Sequence, residues 1–177
     1  MKKEFQNINK STDQKIITAL INVFALKQFF PKIEMNLIFL KRTFEDIFGQ
    51  EYTPTHYAGP EYTQRIAPSE NYVYVHDSVF SYCSSSSDGG ALYCGSSVLK
   101  LLVEQSSFIS CRTSNRGGGA ILFSNSGSGE CVLSRICGFN CSSTYSGYSY
   151  GQFAYIKSKT NLNYKNHVID STITRTP

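Results

Sequence analysis

The chain has 177 residues, of which 41% are hydrophobic and 17% are charged, so it has enough apolar surface for a packed domain and is not a disordered chain. Its formal net charge of +4 comes from 17 basic and 13 acidic residues, which are interspersed without the basic runs that follow a phosphate backbone, so we predict no nucleic-acid partner. The aromatic residues are Phe and Tyr without Trp, and with the many Ser and Gly residues of the second half they favour strands and tight turns.

Residues 1–49 are predicted to form a helical segment. Ser11 and Gln14 have the spacing of a capping box, and apolar residues follow them at helical intervals. Pro31 ends this first helix, and a second helix is predicted over 33–48. Because both helices are amphipathic, we expect the segment to cap one end of the domain that follows it. Docking on a membrane surface through its basic residues is the alternative.

The N-terminal segment lacks the pattern of a membrane anchor or of a secretory leader. Its apolar stretch at 16–26 is too short to span a bilayer. A long polar segment precedes this stretch, and no convincing small-residue cleavage site follows Ala25. We therefore predict no transmembrane segment and no cleaved signal peptide.

Residues 50–70 are predicted to be a linker, because three prolines and a glycine at close intervals favour irregular structure. From residue 71 onward the spacing of apolar residues changes from helical to alternating, beginning with Tyr72 to Val75. We therefore place a domain boundary here and predict a repeat domain over 71–177.

Two copies of one motif, Phe-x-x-Cys followed by Gly-Gly-Ala, dominate the repeat domain. They occupy residues 80–91 and 108–120, and the interval from Phe80 to Phe108 equals that from Cys83 to Cys111. A fixed period of this length marks a chain that stacks similar supersecondary units. The fold is therefore predictable from the sequence, whereas a catalytic or metal-binding signature is not evident.

Aligning the units on their cysteines places apolar residues at every second position of one strand in three successive units. These positions are Val73 and Val75 in the first unit, Leu101 and Val103 in the second, and Cys131 and Leu133 in the third. Strands that repeat with one parity pair in parallel with their copies and stack like residues into columns. Gly-Gly-Ala adds a second turn and strand to each unit, and in the third unit we assign its place to Gln152, Phe153 and Ala154. A partial fourth unit is expected over 161–173.

These features predict an all-β fold in which each unit is one coil of a short parallel β-helix of about three coils. A leucine-rich repeat would need a Leu-x-x-Leu-x-Leu frame, and a β-propeller blade would be longer, with antiparallel strands. So short a stack leaves strand edges at its ends, which makes end-to-end self-association an expectation.

All six cysteines lie between residues 83 and 141. Cys83, Cys111 and Cys141 recur at the repeat period, as expected for stacked free thiols, with disulfides as the alternative. The chain has no C-x-x-C pair. The three histidines, His56, His76 and His167, have no metal-ligand spacing. We therefore predict no metal site and no cofactor.

The most distinctive strings of the repeat domain are Val75–Asp77, Ser87–Cys94 and Arg135–Cys141. With the Phe-x-x-Cys and Gly-Gly-Ala motifs, they resemble the right-handed parallel β-helix repeats of large trichomonad surface proteins. The likeness covers residues 72–156, and it is weaker to bacterial polymorphic outer-membrane proteins, which have Asn where this chain has Cys. The resemblance implies a right-handed coil, surface display and adhesion. The full expectation is thus a right-handed parallel β-helix with the N-terminal helical segment as its cap.

The candidate catalytic residues are polar residues that follow the aligned strands. His76 and Glu104 share one aligned position, and Asp77 and Arg135 share the next. Polysaccharide lyases and glycoside hydrolases with a β-helix fold gather carboxylates, often with a basic residue, from neighbouring coils. We favour instead a polar outer face with a solvated His76–Glu104 pair. We therefore predict that the chain is not an enzyme, with a carbohydrate-active enzyme as the alternative.

Three tyrosines of the third unit, Tyr145, Tyr148 and Tyr150, are the candidate binding residues. Tyrosine offers a large contact area and a polar group, which suits a protein or glycan partner. An aromatic stack that seals the third unit is the alternative. The function predicted from the sequence is a structural or interaction module, and a membrane-associated module is a further alternative.

Overall fold

The structure is a computed structural model that describes residues 42–59, 61–115, 117–145, 151–158 and 165–175. This described part has fifteen strands in four sheets, with every strand pair parallel, and one short helix. The predicted all-β fold class is therefore confirmed. The predicted first helix and its capping box at Ser11 and Gln14 lie outside the described residues.

Each of the four sheets collects strands from successive units. The first sheet has the order β1 (Thr55–Ala58), β2 (Tyr72–His76), β6 (Lys100–Glu104), β10 (Glu130–Ser134) and β14 (Asn166–Ile169). The second has the order β15 (Thr172–Thr174), β11 (Cys137–Phe139), β7 (Ser107–Ile109) and β3 (Val79–Ser81). The third has β12 (Ser142–Ser143), β8 (Arg112–Thr113) and β4 (Ser84–Ser85), and the fourth has β13 (Ala154–Lys157), β9 (Ile121–Ser124) and β5 (Leu92–Cys94). The chain visits the sheets in the same order in every full unit.

The pairing register of the first sheet matches the alignment of the units. Val73 lies opposite Leu101, and Leu101 lies opposite Cys131. These residues point into the core and are at most 1% exposed. The predicted parallel columns of like side chains are therefore confirmed.

Residues 50–70, predicted to be a linker, contribute a partial unit to the stack. Strand β1 pairs with β2, and Thr55 lies opposite Val73 at an interval along the chain that is shorter than the repeat period. Farther along, the Tyr62 N–H donates to the Val79 carbonyl at 2.7 Å, and isolated bridges link Tyr62 to Phe80 and Ile66 to Leu92. We call residues 55–66 the N-terminal partial unit. Alignment at the repeat period missed it because this unit is shorter than the others.

Tyr57, in the N-terminal partial unit, donates a hydrogen bond to Glu70 at 3.1 Å. Burial, and then this hydrogen bond, raise the pKa of Tyr57 to about 12. Hydrogen bonds from its own backbone N–H and then from Tyr57 lower the pKa of Glu70 below its ordinary value of 4.5. Stability that comes from a lowered carboxyl pKa is present above the unfolded value and is lost as the pH falls through the folded value.

Replacing this tyrosine, Tyr57→Phe, is therefore expected to lower the free energy of unfolding by about 1 kcal/mol at neutral pH. The loss should shrink below pH 4.5, the ordinary value for Glu70, because the protonated carboxyl group is a weaker acceptor. Urea unfolding of both proteins at neutral and acidic pH measures this difference. A loss of equal size at both values of pH would contradict the assignment.

The units turn at three recurring corners whose residues have a positive φ. The first corner holds Asp77, Gln105, Arg135 and Asp170, the second holds Tyr82, Ser110 and Asn140, and the third holds Gly89, Gly118 and Gly151. The corner backbone stays in the hydrogen-bond ladder, since the Tyr82 N–H donates to the Ile109 carbonyl at 2.8 Å. A side chain is excluded at the third corner, because a Cβ on Gly118 would lie 1.9 Å from the Ile121 carbonyl oxygen.

The third unit reaches its third corner one residue earlier than the sequence predicts. Gly151 has a φ of +69°, so Gly151, Gln152 and Phe153 take the places of Gly-Gly-Ala. Consistent with this register, the Ala120 N–H donates to the Phe153 carbonyl at 2.8 Å. The assignment of these places to Gln152, Phe153 and Ala154 was wrong, because the corner conformation favours glycine.

A column of stacked aromatic rings runs from the N-terminal partial unit into the second unit. The centroid of the Phe80 ring lies 4.8 Å from that of Tyr62 and 4.8 Å from that of Phe108. The planes of the two phenylalanines differ by 2°, and both side chains are fully buried. The Phe of each motif thus packs on its copy in the next unit.

In the third unit the large and the small residue of the motif have exchanged places. Gly138 pairs with Phe108 and takes the Phe position, whereas Phe153 takes the position of Ala120. The Phe153 ring lies next to Gly138, since a Cβ on that glycine would come within 2.6 Å of the ring. Its centroid is 5.7 Å from that of Phe108. The exchange keeps the core filled even though the third unit lacks the Phe and the Ala of the motif.

The three cysteines that recur at the repeat period form a second column. The thiol of Cys111 donates to the Phe80 carbonyl at 3.4 Å, and that of Cys141 donates to the Phe108 carbonyl at 3.4 Å. All six cysteines are free thiols, and only Cys137 is exposed. Hydrogen bonds with the neighbouring thiols, together with burial, raise the pKa of Cys111. The predicted stack of free thiols is confirmed. It is a packing feature, and its central thiol, Cys111, is protonated.

The described helix, α1 (Phe44–Phe48), covers the outer face of the first sheet. Phe44, Ile47 and Phe48 are buried together with Tyr74, Leu102 and Val132. Thr43 is the N-cap, has an extended backbone and forms a capping box with Asp46. A helix running through 33–48 was therefore wrongly predicted across Thr43. The described helix lies on a flank of the sheet stack, where an outward apolar column needs cover.

A C-terminal partial unit, formed by β14 and β15, extends the first and second sheets. Its inward positions are incompletely covered, with Val168 51% and Ile173 50% exposed. The predicted partial unit at this end is confirmed. End-to-end self-association through these strands stays a prediction.

Candidate functional site

The four candidate catalytic residues lie at the ends of strands in the first sheet, around Tyr74. His76 is the register partner of Glu104, and Asp77 and Arg135 occupy the corner that directly follows the strands. We use the term polar cluster for Arg42, His56, Tyr74, His76, Asp77, Glu104 and Arg135. The sequence predicted four of its seven members.

Glu104 is the buried centre of the polar cluster, with 0% exposure. Its Oε1 atom accepts hydrogen bonds from the Arg42 backbone N–H at 2.9 Å and from Arg135 Nη2 at 2.6 Å. Its Oε2 atom accepts from the Tyr74 hydroxyl at 2.8 Å. The prediction of a solvated His76–Glu104 pair was therefore wrong, because residues 42–48 cover this part of the sheet and Arg135 supplies the compensating charge.

Tyr74 links the buried and the exposed parts of the polar cluster. Burial, followed by the hydrogen bond to Glu104, raises the pKa of Tyr74, so its hydroxyl stays a donor. Its ring centroid lies 4.4 Å from that of His76 and 5.3 Å from that of His56. The tyrosine ring thus packs against both imidazoles.

The exposed part of the polar cluster is a chain of three side chains. His76 Nδ1 lies 2.9 Å from Asp77 Oδ2, and His76 Nε2 lies 3.1 Å from His56 Nδ1. His56 is exposed, whereas the side chains of His76 and Asp77 are 16% and 52% exposed. His56 was not predicted as a site residue because it lies in the predicted linker. Matching the pattern of Thr55–Ala58 to that of β2 is the signal that reveals it.

A second, largely buried ion pair lies at the opposite end of the sheet face that α1 covers. Lys100 pairs with Glu130, and their side chains are 13% and 9% exposed. The Lys100 ammonium lies 4.5 Å from the centroid of Tyr52, and the Lys165 N–H donates to Glu130 at 2.7 Å. The covered apolar column therefore has an ion pair at the start of its strands and another, Glu104 with Arg135, at their ends.

The positions of the carboxylates decide what the polar cluster can do chemically. Both oxygens of Glu104 accept hydrogen bonds within the protein, and the residue is not exposed, so it does not face a substrate. Acid–base cleavage of a glycosidic bond requires a pair of carboxyl groups that flank the bond. The surface chemistry of the cluster therefore rests on Asp77 and the two imidazoles, which can bind a cation or transfer a proton.

The candidate binding tyrosines are described only in part. Tyr145 is half-buried, whereas Tyr148 and Tyr150 lie outside the described residues. Among the described aromatic residues, Tyr82 at 74% and Phe139 at 42% are the most exposed. Neither residue was predicted as a binding residue, although Phe139 directly follows the glycine that replaces the Phe of the motif and therefore points outward.

The outer surface of the second sheet carries no charged residue on its four strands. We use the term uncharged face for its outward positions. These are Val79, Ser81, Ser107, Ile109, Cys137, Phe139, Thr172 and Thr174. Phe139 is exposed on this face, and Tyr82 adjoins it at the second corner. Glu61 approaches one edge, where it accepts a hydrogen bond from Ser81.

Comparison with family models, with curated proteins and with solved structures found no match for this chain. Over the stretches that the structure describes, none of the helical structure is long and apolar enough to cross a membrane. In those same stretches, no group of three or more His, Cys, Asp or Glu side chains is arranged to hold a metal ion.

Proposed function

We propose that the chain is a short right-handed parallel β-helix module that acts as a non-enzymatic interaction protein through its uncharged face. The four parallel sheets and the repeated corners support the β-helix, since each full unit passes through the sheets once and rises by one strand. The right-handed sense and the link to trichomonad surface repeats rest on the resemblance of the Phe-x-x-Cys and Gly-Gly-Ala units.

The uncharged face is the single observation that carries the interaction role. Cores of protein interfaces are depleted in charge and enriched in aromatic residues. The four strands beneath the face contain no Asp, Glu, Lys or Arg, and Phe139 and Tyr82 are exposed on or beside it. A protein partner that presents an apolar surface of its own fits this composition better than an acidic polysaccharide does.

The hydrogen bonds of the polar cluster support a role without catalysis. Its one buried carboxylate, Glu104, is held by three donors from within the chain. Asp77 is the carboxylate of the cluster that solvent reaches, and it lies against His76. Glycoside chemistry would need a second carboxyl group facing the same bond.

Site-specific photo-crosslinking in cells that produce the chain tests the interaction surface. A photoreactive residue in place of Phe139 or Tyr82 is expected to yield one discrete product that contains a second protein. The same residue in place of Ser126, an exposed turn position, is the control and should give no such product. Phe139→Glu should abolish the product formed from position 82.

Two results would overturn the assignment. Products of identical yield from positions 139 and 126 would show that the face is not selective, and a product made only of two copies of this chain would replace the partner by self-association. The enzyme alternative has its own test, namely turnover of acidic polysaccharides by lyase or hydrolase assay. We expect none, and turnover lost on Glu104→Gln in a folded variant would establish an enzyme.

A further inference from the structure

The imidazoles of His56 and His76 meet across the boundary between the N-terminal partial unit and the first unit. The His56 Nδ1 and His76 Nε2 atoms are 3.1 Å apart, and the ring planes differ by 89°. These residues belong to adjacent strands, β1 and β2, with Thr55 opposite Val73. The contact therefore joins the terminal strand of the first sheet to the rest of the stack.

Asp77 determines which nitrogen of His76 carries the lone pair. The carboxylate lies 2.9 Å from His76 Nδ1 and accepts its proton, so in neutral His76 the lone pair is on Nε2. That nitrogen in turn accepts the Nδ1 proton of His56. One proton thus lies between His56 Nδ1 and His76 Nε2. When this proton moves to His56 Nε2, both facing nitrogens have a lone pair available.

We propose that a divalent transition-metal ion of the imidazole-binding class, Zn²⁺ foremost, replaces this shared proton and is held by His56 Nδ1 and His76 Nε2. Two nitrogen ligands of a tetrahedral zinc ion are about 3.3 Å apart when each bond is about 2.0–2.1 Å. The 3.1 Å separation in this chain is close to that distance, and the exposed His56 ring would rotate so that its Nδ1 lone pair points at the ion instead of at His76. Water molecules complete the coordination shell.

The surroundings of the two imidazoles favour the metal. A carboxylate hydrogen-bonded to the far nitrogen of a ligating histidine orients the ring and makes it a stronger ligand, and Asp77 has this position behind His76. The ring of Tyr74 packs against both imidazoles and limits their orientations. Because His56 is exposed, an ion reaches the site directly from solvent.

The bound ion would link β1 to β2 and so fasten the N-terminal partial unit. A ligand that binds only the folded state raises its stability. The expected consequence is a zinc-dependent increase in the thermal midpoint of the full chain. Mg²⁺, which prefers oxygen ligands, should have no such effect.

Isothermal titration of the full chain with ZnCl₂ tests the site, with thermal unfolding as a second measurement. The chain contains three histidines in all, and its exposed thiol is Cys137, so every variant is prepared in a Cys137→Ser background. We expect one zinc ion per chain. His56→Gln should abolish the binding and the thermal shift. Asp77→Asn should weaken zinc binding by about 10–100-fold.

The matched control is His167→Gln. His167 is exposed and belongs to the same outward position of the first sheet as His56, but it lies at the opposite end of the stack. This variant should bind zinc as the parent does. Absence of zinc binding by the parent, or equal loss in His56→Gln and His167→Gln, would overturn the proposal. Circular dichroism of each variant without metal ensures that a loss of binding is not a loss of fold.

Discussion

Replacing Arg135 by methionine is expected to lower the free energy of unfolding by about 3 kcal/mol, because the substitution leaves a buried carboxylate without its compensating charge. Glu104 is 0% exposed, and Arg135 Nη2 lies 2.6 Å from its Oε1 atom. The donors that remain, the Arg42 N–H and the Tyr74 hydroxyl, are neutral groups. They leave one donor on each carboxylate oxygen but do not compensate its charge. Urea unfolding monitored by circular dichroism measures the loss.

A second substitution in the same protein separates charge from packing. Adding Glu104→Gln to Arg135→Met removes the uncompensated charge while an acceptor remains for Tyr74. The double variant should therefore be more stable than Arg135→Met alone. Arg112→Met, at an exposed position of β8, is the matched control and should change stability by less than about 0.5 kcal/mol. Additive losses from the two substitutions would show that the ion pair does not matter.

The columns of the first sheet could be predicted because their inward residues recur at the repeat period and at every second position of a strand. Val73, Leu101 and Cys131 lie one unit apart, and each sits on an inward position of an alternating strand. Parallel pairing follows when such strands stack unit on unit. The N-terminal partial unit has the same parity but a shorter offset from its neighbour, so a search at the main period could not detect it. His56 was lost with it.

The burial of Glu104 could not be predicted, for a different reason. The strand pattern correctly placed this residue on an outward position, where a charged side chain is ordinarily solvated. Its cover comes from a backbone N–H that lies 62 residues earlier in the chain, and no pattern within the repeat encodes that contact. A long-range contact made by a non-repeated segment thus turned a predicted surface pair into a buried ion pair.

The exchange of Gly138 and Phe153 leads to the other large effect. Phe153→Ala is expected to lower the free energy of unfolding by about 3 kcal/mol, since it opens a cavity beside a glycine that cannot fill it. Gly138→Phe is also expected to destabilise the protein, because its Cβ would lie 2.6 Å from the Phe153 ring. Phe153→Ala leaves the core underpacked, whereas Gly138→Phe overpacks it.

The double variant, Gly138→Phe with Phe153→Ala, should recover most of the lost stability. It gives the third unit the same pair that the second unit has in Phe108 and Ala120, so the new ring can continue the aromatic column. We expect its unfolding free energy to fall within about 1 kcal/mol of the parent, as found for changes that conserve core volume. Gly138→Phe combined with Phe44→Ala, a cavity in the separate cluster under α1, is the control and should give additive losses. Additivity in both pairs would mean that Phe153 does not occupy the space left by the missing Phe of the motif.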